Sequence, residues 1–356
     1  MVNPSVQRLG SSIDVPSVQS LAASIANPAH VPPRYVRPEA KADPVASDGE
    51  SELPVIDFSR LLHHRFSREE STKLHHACAD WGFFQVSRST DRNLPDDAME
   101  KMKADIVEFF KLPLEEKKAF AQLPNSLEGY GQAFVVSDDQ KLDWADMLYL
   151  ITRPHQSRNI DLWPAQPLTF RFISTTSAVI YSAVQLRSTY MTSFAAASCH
   201  QRLSLLLLHG AEERGSNFAG ADSQESGDRT GGVLYYISGP TAGMNDVEGL
   251  HIKKGGNWFP VKPLPGALIA NIGDIIEILS NGVYKSVEHR TIINAKEERL
   301  SIAAFHGPRE DSMIGPLAEI VKGCESKYVS INYGEFIKAY FSVKLDGRRL
   351  MDSLKL

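Results

Sequence analysis

Three cysteines, Cys78, Cys199 and Cys324, are all that a chain of 356 residues contains. Odd in number and far apart, they match neither a disulfide framework nor a zinc ribbon, and they suit a reducing compartment. Long apolar runs are missing too. Leu205-Leu206-Leu207-Leu208 is typical of what there is, far short of the roughly 20 residues that a membrane helix needs. The opening residues Met1-Val2-Asn3-Pro4-Ser5 carry no basic stretch leading into an apolar core, so no secretory signal is expected. No basic stripe interrupts a formal net charge of −5, which argues against a nucleic-acid partner. These absences predict a cytoplasmic protein with a small-molecule partner and no membrane attachment; they leave the oligomeric state open.

What is present is ordinary for a folded soluble chain, 42% hydrophobic and 23% charged. The length is large for one domain, so a core domain with an N-terminal layer is expected. Residues 1–52 read as an arm and linker: an amphipathic segment Val18–Ile25, a proline-rich run Pro32-Pro33-Arg34-Tyr35-Val36-Arg37-Pro38, then small and acidic residues. Leu53-Pro54-Val55-Ile56-Asp57 is a short apolar strand. Ser67-Arg68-Glu69-Glu70 has capping-box spacing and predicts a helix to about Trp81, ended by Gly82. Phe83–Val86 returns as a strand. A second helix spans roughly Pro95–Phe110, with Met99, Met102, Ile106 and Phe110 forming a core face. Trp144 and Tyr149 suit packing, or alternatively the wall of a substrate pocket.

The C-terminal part reads as β-rich. Gly255-Gly256 predicts a hairpin turn with His251 on the preceding strand, and Asn281-Gly282 predicts a tight hairpin turn because both residues tolerate positive φ. Beyond it, Val287, His289 and Thr291 alternate onto one face. After a polar turn at Lys296-Glu297-Glu298 comes a strand, Arg299–Phe305, whose Arg299 and Ser301 share a face. A satisfied inward histidine and a surface arginine would be the bland explanation. The alternative is a site, since an arginine inside a sheet is too costly without an anion, and its planar fork suits a carboxylate.

Ser286-Val287-Glu288-His289-Arg290, followed by Arg299-x-Ser301, resembles the C-terminal signature of 2-oxoglutarate- and Fe(II)-dependent dioxygenases. The resemblance is to the plant enzymes of specialised metabolism, the norcoclaurine-synthase-like, codeine-demethylase-like and flavonoid-oxidising branches. Asp80-Trp81-Gly82-Phe83-Phe84, Glu128-Gly129-Tyr130-Gly131, Asp143-Trp144-Ala145-Asp146 and Asn245-Asp246-Val247-Glu248-Gly249-Leu250 support it. It implies an α+β fold with a mainly β core, a double-stranded β-helix (jelly roll) with flanking helices and a helical N-terminal layer. It also implies Fe(II) and 2-oxoglutarate as cofactors, with ascorbate as a further reductant. His289 would be the metal ligand, and Arg299 and Ser301 would hold the far carboxylate of 2-oxoglutarate. The chain then divides into 1–52, the arm; 53–167, an N-terminal dioxygenase-type domain; 168–243, a divergent segment; and 244–356, the C-terminal part of the jelly-roll domain.

One piece of the pattern is absent. Counting back by the family's spacing puts its His-x-Asp pair near positions 232 and 234, which here are Gly232 and Leu234. None of the eleven histidines is followed two residues later by Asp or Glu. Fe(II) oxygenases of this kind use two histidines and one carboxylate on one face. The family's Asn-Tyr-Tyr-Pro-Pro stretch has no counterpart at its expected place, and Tyr235-Tyr236 falls too late by that count. Asp246, Glu248 and His251 are a substitute ligand cluster to test, against the plainer reading of a solvated strand face. Two functions follow: an oxygenase that hydroxylates, demethylates or desaturates a small specialised metabolite, or a non-catalytic relative. The second is either a binding protein or an aberrant gene product, altered in reading frame or splicing between about Leu168 and Gly243.

Overall fold

A computed structural model describes residues 12–25, 31–37, 44–46, 52–87, 96–153 (except 125, 127, 133, 134 and 136), 157–167, 230–238, 249–294, 297–342 and 350–356. In chain order the elements are α1 (Val18–Ser24), β1 (Val55–Asp57), α2 (Phe58–Leu62), α3 (Ser67–His76), β2 (Phe83–Ser87), α4 (Asp96–Lys111), α5 (Leu114–Lys118), β3 (Gly129–Gly131) and β4 (Asp146–Arg153). Then follow β5 (Thr230–Ser238), β6 (Leu250–Lys254), β7 (Asn257–Pro260), β8 (Leu268–Asn271), α6 (Asp274–Leu279), β9 (His289–Thr291), β10 (Arg299–Gly307), β11 (Met313–Ile314), α7 (Ala318–Val321), β12 (Ile331–Asn332), α8 (Tyr333–Ser342) and α9 (Leu350–Ser353).

The strands form a four-stranded sheet in the order β10-β5-β4-β3, two three-stranded sheets, β1-β2-β8 and β7-β6-β9, and a small pair, β11-β12. Strands from both halves of the chain meet in the four-stranded sheet. Its two faces are distinguished by packing. Leu148 and Leu150 of β4 are fully buried beside Met102, Ile106, Phe109 and Phe110 of α4, and Leu300 and Ile302 of β10 pack against the same cluster. Side chains alternate along a strand, so Arg299, Ser301 and Tyr149 stand on the opposite face, away from α4. The other two sheets enclose a second core of Leu53, Phe83, Ile252 and Val261.

The N-terminal arm is fastened by one carboxylate. Asp146 is almost wholly buried at the start of β4 and accepts from Ser17 Oγ (2.7 Å), Val18 N (2.8 Å) and Gln19 N (3.0 Å). It takes up donors at the first turn of α1, which a helix leaves without internal partners. Around it Val18, Tyr35, Val135, Leu142 and Trp144 form a cluster, with Tyr35 and Trp144 edge to face at 5.0 Å. Trp144 is therefore a packing residue.

Two local expectations are corrected. Ser67 and Glu70 do not form a capping box: α3 has no side-chain cap, and the buried Glu70 carboxylate instead accepts from Asp57 N (2.8 Å) and Arg60 Nε (3.3 Å). Asn281-Gly282 is not a hairpin turn between strands. The apolar run Ile275–Leu279 folds as α6, and Asn281 (φ 51°) and Gly282 (φ 78°) end it. Positive φ serves a helix end as well as a hairpin, and Asn281 is pinned there by Lys327 N and Glu325 O. The end of the helix expected from Ser67 to about Trp81 is as predicted: a π-helical turn, Ala77–Trp81, continues α3, and Gly82 (φ 63°) closes it. A Cβ there would stand 2.3 Å from the Lys285 carbonyl oxygen.

Candidate functional site

The anion side of the site lies on β10. Arg299 is partly buried, and its Nη1 donates to Ser301 Oγ at 2.9 Å. Burial pushes the guanidinium pKa below its usual value, yet arginine stays charged at any ordinary pH. Two residues apart on one strand, the fork and the hydroxyl face the same way. Space for the arginine comes from Gly249, where a Cβ would meet Arg299 Cδ at 2.7 Å and Nε at 2.9 Å. Gly249 lies just before β6, and its carbonyl accepts from Ile292 N at 2.7 Å, just past β9. The Arg299 side chain thus reaches across from the four-stranded sheet to the end of the β6-β9 ladder.

His289 lies further along that ladder, opposite Ile252. Its ring is exposed and sits 5.3 Å from Phe83, edge to face. Nδ1 is 3.1 Å from the Val287 carbonyl oxygen. A carbonyl can only accept, so Nδ1 carries the proton in this contact and Nε2 keeps the lone pair, the arrangement a metal ligand needs. Three residues of extended chain separate His289 from Ile292, about 10 Å.

The remaining candidates do not join them. Gly232 and Leu234 fall on β5, opposite Phe305 and Ala303 of β10, and neither residue type ligates a metal. His251 pairs with Arg290 in the ladder where its neighbour Ile252 pairs with His289, so alternation puts it on the other face of the sheet. It cannot share an ion with His289. Asp246 and Glu248 lie outside the described residues, as do His200 and His209. His75 contacts the Tyr284 hydroxyl at 3.0 Å, a packing role. Among the described residues, no three His, Cys, Asp or Glu side chains are grouped to hold a metal ion.

Tyr235-Tyr236, too late by the family's spacing to stand for its Asn-Tyr-Tyr-Pro-Pro stretch, lies on β5 between β4 and β10, with Tyr236 in register opposite Ser301 and Tyr235 opposite Ile302. This strand therefore borders the anion side. No local signal finds it, because strand pairing is set by partners distant in sequence. Tyr149 of β4, which stands opposite Leu234 of β5, is on the face that carries Arg299.

Comparison with known proteins places these observations. A family profile described as "non-haem dioxygenase in morphine synthesis N-terminal" matches residues 53–166, and one described as "2OG-Fe(II) oxygenase superfamily" matches residues 218–308. The chain is 43% identical to S-norcoclaurine synthase 1 of Coptis japonica, over 98% of each chain. It is 44% identical to 2-oxoglutarate-dependent dioxygenase 11 of Oryza sativa subsp. japonica, over 97% of each, and 34% identical to codeine O-demethylase of Papaver somniferum, over the whole of both. The solved structure of JOX2 in complex with 2OG, Fe and JA superposes with a TM-score of 0.75 at 27% identity, covering 97% of this chain and 98% of that one. The jelly-roll α+β fold expected from the sequence is the fold of these neighbours.

The family's two cofactors fit the chain unequally. For 2-oxoglutarate the donor set fits: a partly buried guanidinium, a hydroxyl beside it, and a glycine whose missing Cβ leaves the arginine its place. For iron it does not, since the described residues offer one histidine on the correct face where three ligands are needed. With fold, signature and relatives in agreement, the chain belongs to the 2OG-Fe(II) oxygenase superfamily, in the group of plant dioxygenases that includes norcoclaurine synthase and codeine O-demethylase.

Proposed function

We propose that this oxygenase-family chain takes 2-oxoglutarate by its far carboxylate at Arg299 and Ser301, next to a small specialised metabolite held on the Tyr149 side. The Arg299–Ser301 pair is the observation that carries this reading. Hydroxylation, demethylation or desaturation is the reaction class to which its lineage points, three of the relatives being named as O-demethylases. In such enzymes bound iron supplies oxygen activation; no step through iron is derived for this chain, whose described residues do not complete the ligand set. His289 is the residue proposed for the metal side, with Nε2 as its donor atom. The divisions at 53, 168 and 244 are carried forward with the same proposal. Among the described residues no helix is long and apolar enough to cross a membrane; a cytoplasmic location belongs to the same proposal.

A second reading has a specific observation behind it. By the family's spacing the remaining ligands are expected at 232 and 234, which here are Gly232 and Leu234, and on this the reading as a relative that binds ligands without turnover rests. Calorimetric titration with 2-oxoglutarate tests the shared premise. Each charge-assisted bond contributes about 1.5–3 kcal/mol, so losing a two-bond fork in Arg299→Ala should weaken binding ~100-fold or more; unchanged binding would reject the seat. Succinate release from 2-oxoglutarate separates the two readings. If it occurs, it should vanish in His289→Ala, and persistence there would remove His289 from its assigned role.

A further inference from the structure

We propose that this chain holds five-carbon dicarboxylates by their distal carboxylate alone, with no metal required and no preference for the 2-oxo group. The inference rests on the Arg299–Ser301 seat proposed above and goes beyond it in saying what the other end of the ligand meets.

2-Oxoglutarate has two chemically different ends. The distal carboxylate is a plain anion, recognised by a guanidinium and a hydroxyl. The 2-oxo acid end is a chelator, whose carboxylate and ketone oxygens gain most when a cation sits between them. Glutarate has the first end and lacks the ketone. Selectivity for 2-oxoglutarate over glutarate therefore reports on the chelating end, and the Arg299 end contributes none of it.

Among the described residues, three features leave the chelating end without a cation. His289 is the one metal-ligating side chain on its face of the β7-β6-β9 sheet among the described residues, because register turns His251 to the opposite face. β5 presents glycine and leucine at positions 232 and 234. β5 ends at Ser238 and β6 begins at Leu250, and residues 239–249 between them contain no histidine. The anion end loses nothing by this. Arg299 and Ser301 lie together on β10, and Gly249 keeps the arginine in place. A carboxylate seat contained in one strand outlasts the loss of a metal site that needs several strands.

The experiment is isothermal titration of the full chain with 2-oxoglutarate and with glutarate, each in EDTA and each, without oxygen, in Fe(II). The expected result is that both ligands bind, with affinities within about threefold of each other and unchanged within threefold by iron. Arg299→Ala should abolish both, and Gly249→Ala, which displaces the arginine without removing it, should weaken both by about tenfold with the fold retained by circular dichroism. A preference for 2-oxoglutarate of tenfold or more, or a tenfold gain on adding Fe(II), overturns metal-free binding while leaving the Arg299 seat standing. Absence of binding by either ligand, or binding indifferent to both substitutions, overturns the seat itself and this inference with it.

Discussion

The proposed anion side on β10 and the proposed metal side on β9 are completed to different degrees among the described residues. Arg299 and Ser301 need one strand and a period of two. Three metal ligands need at least two strands held in register, and β5 offers Gly232 and Leu234. A function contained in one short segment tolerates changes elsewhere in the chain. One assembled from distant segments fails when any contributor changes.

The largest effect should come from the wall behind the anion side. Asp146 caps α1 from 128 residues away and anchors the start of β4, next to β5 in the same sheet. Asp146→Ala would leave several buried donors unpaired, so a loss of about 2–4 kcal/mol is expected, read as a lowered urea midpoint. A change under ~0.5 kcal/mol would mean that the arm is not held by this carboxylate.

Smaller effects sharpen the contrast between the two sides. Ser301→Ala removes one hydroxyl partner, worth about 1 kcal/mol, and should weaken 2-oxoglutarate roughly fivefold. His289→Ala, on the metal side, should leave that affinity within twofold. Equal losses from the two substitutions would mean that the metal side contributes to binding and would erase the contrast.

The smallest effect concerns Glu128, at the edge of the β3-β4 hairpin. Its carboxyl accepts from Ile151 N (2.9 Å) and Trp163 Nε1 (3.4 Å), and burial pushes its pKa up to about 7. A folded-state pKa above the ordinary 4.5 means that the folded state holds the proton more tightly between those values. Stability from this group is therefore greatest below pH 4.5 and falls as pH rises to about 7. Glu128→Gln should flatten that part of the stability–pH curve; an unchanged slope would show that Glu128 ionises normally.

Much of this was legible in the sequence. Arg299-x-Ser301 could be read because alternation within one strand is local, and Gly82 and Gly255-Gly256 because positive φ is a property of the residue. Glu70 could not. Its capping spacing is genuine, but Asp57 N and Arg60 compete for the carboxylate from a neighbouring element. Asn281-Gly282 announced a turn without saying what it would end. Where Tyr235-Tyr236 would pair was not legible, because its register with β10 is set between segments distant in sequence. Gly249 gave no sequence sign of its contact with Arg299, since a close approach between residues fifty apart is a tertiary fact.

The most direct measurement of the asymmetry is an anaerobic titration of the folded chain with Fe(II) and saturating 2-oxoglutarate, following the visible charge-transfer absorption of an iron–2-oxo acid complex. With one side built and the other not, no saturable band should develop even where calorimetry shows the dicarboxylate bound. A band that saturates at one equivalent of iron would contradict the asymmetry and show that residues beyond His289 complete a metal site.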